Sequence, residues 1–168
     1  MQSIARFRGC VAAWAALFLV ACGHAADAAT ATTTMTVQVT ITATCTINSA
    51  ATLNFGTQGV LAANVDQTST VQVTCTNTTP YNIGLNAGTG SGATVATRKL
   101  TSGANTVNYT LYSNSGRTTV WGNTVSTDTV AGTGNGSAQN YTVYGRIPPQ
   151  TTPAPGNYSD TITVTVTY

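Results

Sequence analysis

The residues able to do chemistry in this chain are few and poorly spaced for it. There is no glutamate, one histidine (His24), and four aspartates: Asp27, Asp66, Asp128 and Asp160. His24 and Asp27 lie in an N-terminal leader, so beyond it no Ser-His-Asp or Cys-His nucleophile can be assembled. A glycosidase needs two neighbouring carboxylates. Asp66 sits in a turn-like run and Asp160 opens a strand-like one, which reads as turn and surface chemistry. The Gly-rich stretches GTGSG (88–92) and GTGNGS (132–137) lack the G-x-G-x-x-G spacing and no helical pattern follows them, so they read as loops. Thiol chemistry remains. Cys10 and Cys22 belong to the leader, leaving Cys45 and Cys75. In an oxidising compartment their default state is a disulfide, and closing a loop of about 30 residues stabilises the fold by ~3–4 kcal/mol. Two buried free thiols fit an exported chain less well, and two cysteines without histidine cannot complete a zinc shell. The expectation is no enzyme, no catalytic residue, no metal and no cofactor.

The elements that position these residues begin after export. Arg6 and Arg8 precede an apolar run from Cys10 to Cys22, followed by small residues, the pattern of a secretory signal peptide. Ala26-Asp27-Ala28 is the best cleavage site, giving a signal peptide over 1–28 and a mature N-terminus at Ala29. A rival reading takes Leu19-Val20-Ala21-Cys22 as a lipoprotein box with lipid on Cys22, although Val20 is a loose fit. The mature charges are Arg98, Lys99, Arg117 and Arg146 against Asp66, Asp128 and Asp160. One net positive charge grips neither nucleic acid nor an anionic membrane. With 36 threonines, abundant Val, and Gly and Asn for turns, the composition is all-β with a neutral hydroxyl-rich surface.

Strand-like runs recur between turn signals. CTINSAATLNFG (45–56) is broken in its middle; TSTVQVTCT (68–76) puts Val71, Val73 and Cys75 on one face; YNIGLNAG (81–88) does the same with Tyr81, Ile83 and Leu85. ATVATRKLTS (93–102) reads as an edge piece carrying charge, and NTVNYTLYSN (105–114) with TTVWGN (118–123) as a hairpin around Ser115-Gly116. AQNYTVYGRIP (138–148) is read with Tyr141 and Val143 on opposite faces. IPPQTTPAPG (147–156) is a stiff polyproline-like connection before NYSDTITVTVTY (157–168), whose Ile162, Val164, Val166 and Tyr168 are expected to point inward. Short strands at this spacing predict a β-sandwich. Trp121, Tyr81, Tyr109, Tyr112 and Tyr144 are candidates for a sugar-binding surface, but inside strand-like runs they fit core and cross-strand roles better.

Two stretches remain unabsorbed. TMTVQVTITATC (34–45) alternates, with Met35, Val37, Val39 and Ile41 on one side and threonines and Gln38 on the other. It leads into Cys45 with no evident place in its own domain, while the last strand at 168 is expected to lack a covering partner. An exchange resolves both: residues 31–43 of one copy fill a missing-strand groove in the next, a form of β-augmentation. Four buried apolar side chains give a gross ~6–12 kcal/mol before ordering entropy. The contact is head-to-tail and builds a filament.

The order and spacing of the alternating arm, LNFG (53–56), VQVTCTNTTPYNIGLNAG (71–88), NYTLYSNSGRTTVWG (108–122) and the YTVYGRIPPQ…GNYSDTITVTVTY ending resemble the spore coat U domain family, specifically subunits of Csu-type archaic chaperone–usher pili. The resemblance implies an incomplete immunoglobulin-like sandwich with six strands of its own and a seventh lent by a periplasmic chaperone or a neighbouring subunit. It implies a donor-strand extension over 29–44 and a pilin domain over 45–168. On this resemblance Met35, Val37, Val39 and Ile41 are donor plugs. Ile162, Val164 and Val166 line the acceptor groove and contact the chaperone, and Tyr168 presents the C-terminal carboxylate that the chaperone grips. The implied partners are like subunits, a chaperone and an outer-membrane usher, with export through the periplasm to the surface of a Gram-negative cell, attachment and biofilm formation. One domain with an arm is similar to a rod or adaptor subunit. A secreted carbohydrate-binding sandwich closing on its own arm, and a lipid-anchored surface protein, are the alternatives.

Overall fold

A computed structural model describes residues 28–168; the expected signal peptide, Cys10 and Cys22 lie almost wholly outside the described residues. The chain divides into two units at Val39/Thr40. In the first unit, residues 28–39 form neither helix nor strand and are exposed. In the second, eight strands follow: β1 (Cys45–Ala50), β2 (Val65–Cys75), β3 (Pro80–Leu85), β4 (Arg98–Ser102), β5 (Asn105–Tyr112), β6 (Val130–Thr133), β7 (Ala138–Ile147) and β8 (Val164–Thr167). One sheet has the order β1-β2-β7-β5-β4 and the other β6-β3-β8, with every pair antiparallel.

Period-two alternation builds this sandwich, because successive side chains of a strand point to opposite faces. Val71, Val73 and Cys75 from β2, Tyr81, Ile83 and Leu85 from β3, and Val107, Tyr109 and Leu111 from β5 are all buried in one core. Cys45 and Cys75 are directly opposite in the β1–β2 register and joined by a disulfide. A bulge between Ile47 and Ser49 lets Asn48 reach across the face, donating to Gln72 Oε1 at 3.2 Å and Thr74 Oγ1 at 2.8 Å. Trp121 is buried and its indole donates to the Ile83 carbonyl at 2.8 Å.

Several expectations change. Eight strands stand where the resemblance implies six; residues 98–112 form a hairpin turned at Gly103 (φ 58°), and Val130–Thr133, partly read as loop, pairs with β3. Gly132 permits that pairing, since any side chain there would strike the Tyr81 ring. Tyr141 and Val143 share one face rather than opposing each other: two residues apart in an unbulged strand, both pack on the core. TTVWGN makes only a single bridge, Tyr112 with Val120, in place of a full hairpin strand. The largest correction concerns Arg98. Expected as an edge charge, it is 0% exposed, with its guanidinium donating to the carbonyls of Leu85, Asn86, Val95 and Trp121 at 2.7–2.9 Å. Guanidinium geometry makes this burial tolerable, because its forked donors can meet several carbonyls at once.

Candidate functional site: an edge groove and an unpaired arm

The arm presents its apolar side without cover. Met35 is 83% exposed, Val37 81%, Val39 83% and Ile41 74%. These are the residues whose alternation marked the segment as strand-forming, yet residues 31–44 form no strand. The root of the arm is fixed from residue 42 onward. Thr76 N donates to Thr44 O at 2.9 Å, Thr44 N donates to Thr76 Oγ1 at 3.0 Å, and Thr76 Oγ1 lies 3.2 Å from Thr42 O. These bonds extend the β1–β2 ladder one step past the disulfide.

The groove lies where the two sheets end. β8 pairs with β3 along one edge, matching Leu85 with Val164 and Ile83 with Val166, and is the last strand of its sheet. β1 is the last strand of the other sheet. Ile162, Val164 and Val166 are only half-buried and pack on the core from this edge, with Leu53 beside them. A cavity of about 290 Å³ opens here, lined by Leu53, Phe55, Leu85, Leu111, Ile162 and Val164 among others. At points β1 and β8 approach within 8 Å. A strand inserted between two others needs roughly 9.5 Å between its flanking neighbours, twice the 4.7–4.9 Å inter-strand spacing. Filling the groove along its whole length therefore requires the two edges to part.

Asp160 anchors the start of this wall. Its carboxylate accepts from Thr89 N at 2.8 Å, Thr89 Oγ1 at 2.9 Å, Thr161 N at 2.8 Å and the Tyr109 hydroxyl at 2.8 Å. Gly88, at φ 84°, leaves the room the carboxylate occupies. Burial, then the hydrogen bond to Asp160, pushes the Tyr109 hydroxyl far above its ordinary value. Burial likewise raises Tyr81, helped by its 2.6 Å hydrogen bond with Tyr141. In the sequence Asp160 reads as a turn or surface residue; its only signal is its place before the last alternating run.

The other expected residues divide clearly. Tyr168 is 59% exposed, contrary to the inward reading: it lies one residue past Thr167, where pairing with β3 ends opposite Asn82. Of the sugar-surface aromatics, Trp121, Tyr81 and Tyr109 are buried, and only Tyr112 and Tyr144 are half-exposed. Asp66 carries a bidentate pair with Arg146 at 2.7 and 2.8 Å and an ion pair with Arg117 at 3.3 Å. The Arg146 hydrogen bonds hold its carboxyl below the usual range against the opposing effect of burial. Asp128 accepts from Thr124 N in a tight loop. Among the described residues no group of three or more His, Cys, Asp or Glu is placed to hold a metal ion, and no buried side-chain polar atom lacks a partner.

Comparison with known proteins places this geometry. Residues 31–165 match the family model of the Spore Coat Protein U domain. No curated protein matches the chain. Among solved structures, the chain is similar to one in the crystal structure of the CsuC-CsuE chaperone-tip adhesion subunit pre-assembly complex from archaic chaperone-usher Csu pili of Acinetobacter baumannii. The TM-score is 0.57 at 24% sequence identity, covering 77% of this chain and 41% of that one. The chain thus spans about two fifths of the length of the chain it resembles, and the likeness is one of fold.

Proposed function

The chain belongs to the Spore Coat Protein U domain family, and from that premise we propose that it is a structural subunit of a chaperone–usher pilus, polymerising by donor-strand complementation. One observation carries the reading: an arm with four exposed, alternating apolar residues coexists with an edge strand whose own apolar row is half-covered. Each needs what the other offers. Main-chain bonds along the free edge of β8 supply affinity, and pockets for alternate side chains supply specificity. Met35, Val37, Val39 and Ile41 are the plugs; Ile162, Val164 and Val166 are the wall they meet. Before assembly a periplasmic chaperone occupies the same wall and reads the exposed Tyr168 end, and an outer-membrane usher exchanges it for the next arm. Domain boundaries at 28/29 and 44/45 follow: signal peptide, donor extension, pilin domain. The finished fibre stands on the surface of a Gram-negative cell and serves attachment and biofilm formation.

Size-exclusion chromatography of the mature chain tests this. The full chain runs as a ladder of oligomers, and deletion of residues 29–41 leaves a monomer. A full chain that stays monomeric, with the deletion unchanged beside it, overturns the proposal. Intact mass of the mature protein decides between Ala29 and an acylated Cys22 as its first residue.

A further inference from the structure

A larger cavity of about 850 Å³ lies beyond the groove, lined by Phe55, Val60, Leu61, Pro153, Pro155 and Tyr158 among others. It shares Leu53, Phe55, Leu100 and Asp160 with the groove cavity, so the two adjoin. On its rim Val60 is 83% exposed.

The domain has two ends along β2, which runs from Val65 to Cys75. Ten steps of ~3.3 Å separate them by about 33 Å. The Cys75 end carries the root of the arm, with loop 134–137 beside it: Thr78 N donates to Gly134 O at 2.9 Å and Gly136 N to Cys75 O at 3.0 Å. Thr167, opposite Asn82, lies at this end too. The Val65 end carries the depression and Ile162; there Leu61 N donates to Thr152 Oγ1 at 2.8 Å.

These placements fix the direction of an incoming arm. Running parallel to β8, it would bring its own domain to the Cys75 end, where the acceptor's arm already leaves. Running antiparallel, it sets Met35 against Tyr168, Val37 against Val166, Val39 against Val164 and Ile41 against Ile162. Its domain then emerges at the depression. Little chain is left to hold the two domains apart. Residues 42–44 are bound to Thr76 of their own domain, and even extended they span only about 10 Å.

We propose that the depression around Val60 and Pro153–Pro155 is the seat for the Cys75 end of the next copy, segments 76–79 and 134–137. This rests on the donor-strand reading and adds a second, end-to-end interface to it. The depression's one charged lining residue, Asp160, has its carboxylate taken up by Thr89, Thr161 and Tyr109; segments 56–61, 152–159, 76–79 and 134–137 contain no Asp, Glu, Lys or Arg. Uncharged Thr, Asn, Ser and main-chain groups of 76–79 and 134–137 meet apolar and main-chain groups of the depression, so the contact is insensitive to salt.

The test places the photoreactive residue p-benzoylphenylalanine at position 60 of the full chain, irradiates purified polymers and maps the product by mass spectrometry. The expected product is a crosslinked pair whose second peptide spans 76–79 or 134–137, absent from monomeric Val39→Asp protein. Polymers that give no crosslink, or crosslinks elsewhere, overturn the seat while leaving the donor strand standing. An unsubstituted chain that forms no polymer overturns both. If the photoreactive side chain itself blocks assembly, Val60→Arg supplies a second readout. Its fibres should have a persistence length at least two-fold shorter than wild type, and unchanged stiffness overturns the proposal.

Discussion

Replacing Val39 by aspartate separates a plug from a solvated loop residue. In the free chain Val39 is 83% exposed, so a carboxylate there touches nothing and monomer stability should not change. In the proposed filament the side chain would be enclosed by the row from Ile162 to Val166. Losing the buried valine removes ~1.5–3 kcal/mol. Taking the aspartate in as its neutral form at pH 7 costs about 4 kcal/mol more, from a reference pKa of about 3.9 at 1.36 kcal/mol per unit. Each joint is weakened by ~6–7 kcal/mol, a factor of roughly 10⁴–10⁵ in its equilibrium constant. Chromatography and negative-stain microscopy read this as loss of polymer, with an unchanged melting temperature for the monomer. Lowering the pH to 4 lifts most of the protonation cost and should restore short polymers. Gln38→Asp, one residue away on the opposite side of the strand, is the control and should polymerise. Polymerisation of Val39→Asp at the wild-type level would refute the plug assignment, and loss of polymer in both variants would refute the alternation argument.

Arg98→Met leaves four carbonyls without their donor and should cost ~3–5 kcal/mol, lowering the melting temperature by roughly 10 °C in calorimetry; Arg98→Lys should recover only part of it. Cys45→Ser with Cys75→Ser removes a cross-link spanning 30 residues and should destabilise the domain by ~3–4 kcal/mol in a urea titration. Tyr109 and Tyr81 are held neutral in the fold, so their contribution is intact below pH 10.0, where unfolded tyrosine begins to ionise, and declines as pH rises further. Melting temperature should therefore be flat from neutrality and fall above that point, less steeply in Tyr109→Phe. At the acid end Asp66 works in the opposite sense: its carboxyl is held below 3.8, so its contribution is lost as pH falls. Because its side chain is 34% exposed, Asp66→Asn should cost less than ~1 kcal/mol.

The strands with clean alternation were legible before any coordinates. Val71, Val73 and Cys75, and Tyr81, Ile83 and Leu85, needed only period two to be placed inside, and the cysteines only their compartment and number. What escaped was set by tertiary contacts that leave no local pattern. Arg98 is buried because four carbonyls from three separate segments converge on it, and nothing in ATVATRKLTS announces them. Gly132 reads as loop in a Gly-rich run but serves a strand pressed against Tyr81. The arm and the last strand stood out in the sequence as two alternating runs without partners. Their geometry adds the detail that the arm is bound to Thr76 from Thr42 onward, and that Asp160 anchors the start of the last alternating run.

The most direct test of the central claim uses a synthetic peptide of residues 31–43 added to the mature Val39→Asp chain, which on the proposed reading keeps its own groove but does not fill a neighbour's. Binding to the folded state alone stabilises it by ~2.7 kcal/mol at a hundredfold excess over Kd. The account predicts a rise of several degrees in melting temperature that grows with the logarithm of peptide concentration, and none with a peptide carrying the same Val39→Asp change. No shift with either peptide, or an equal shift with both, would contradict it.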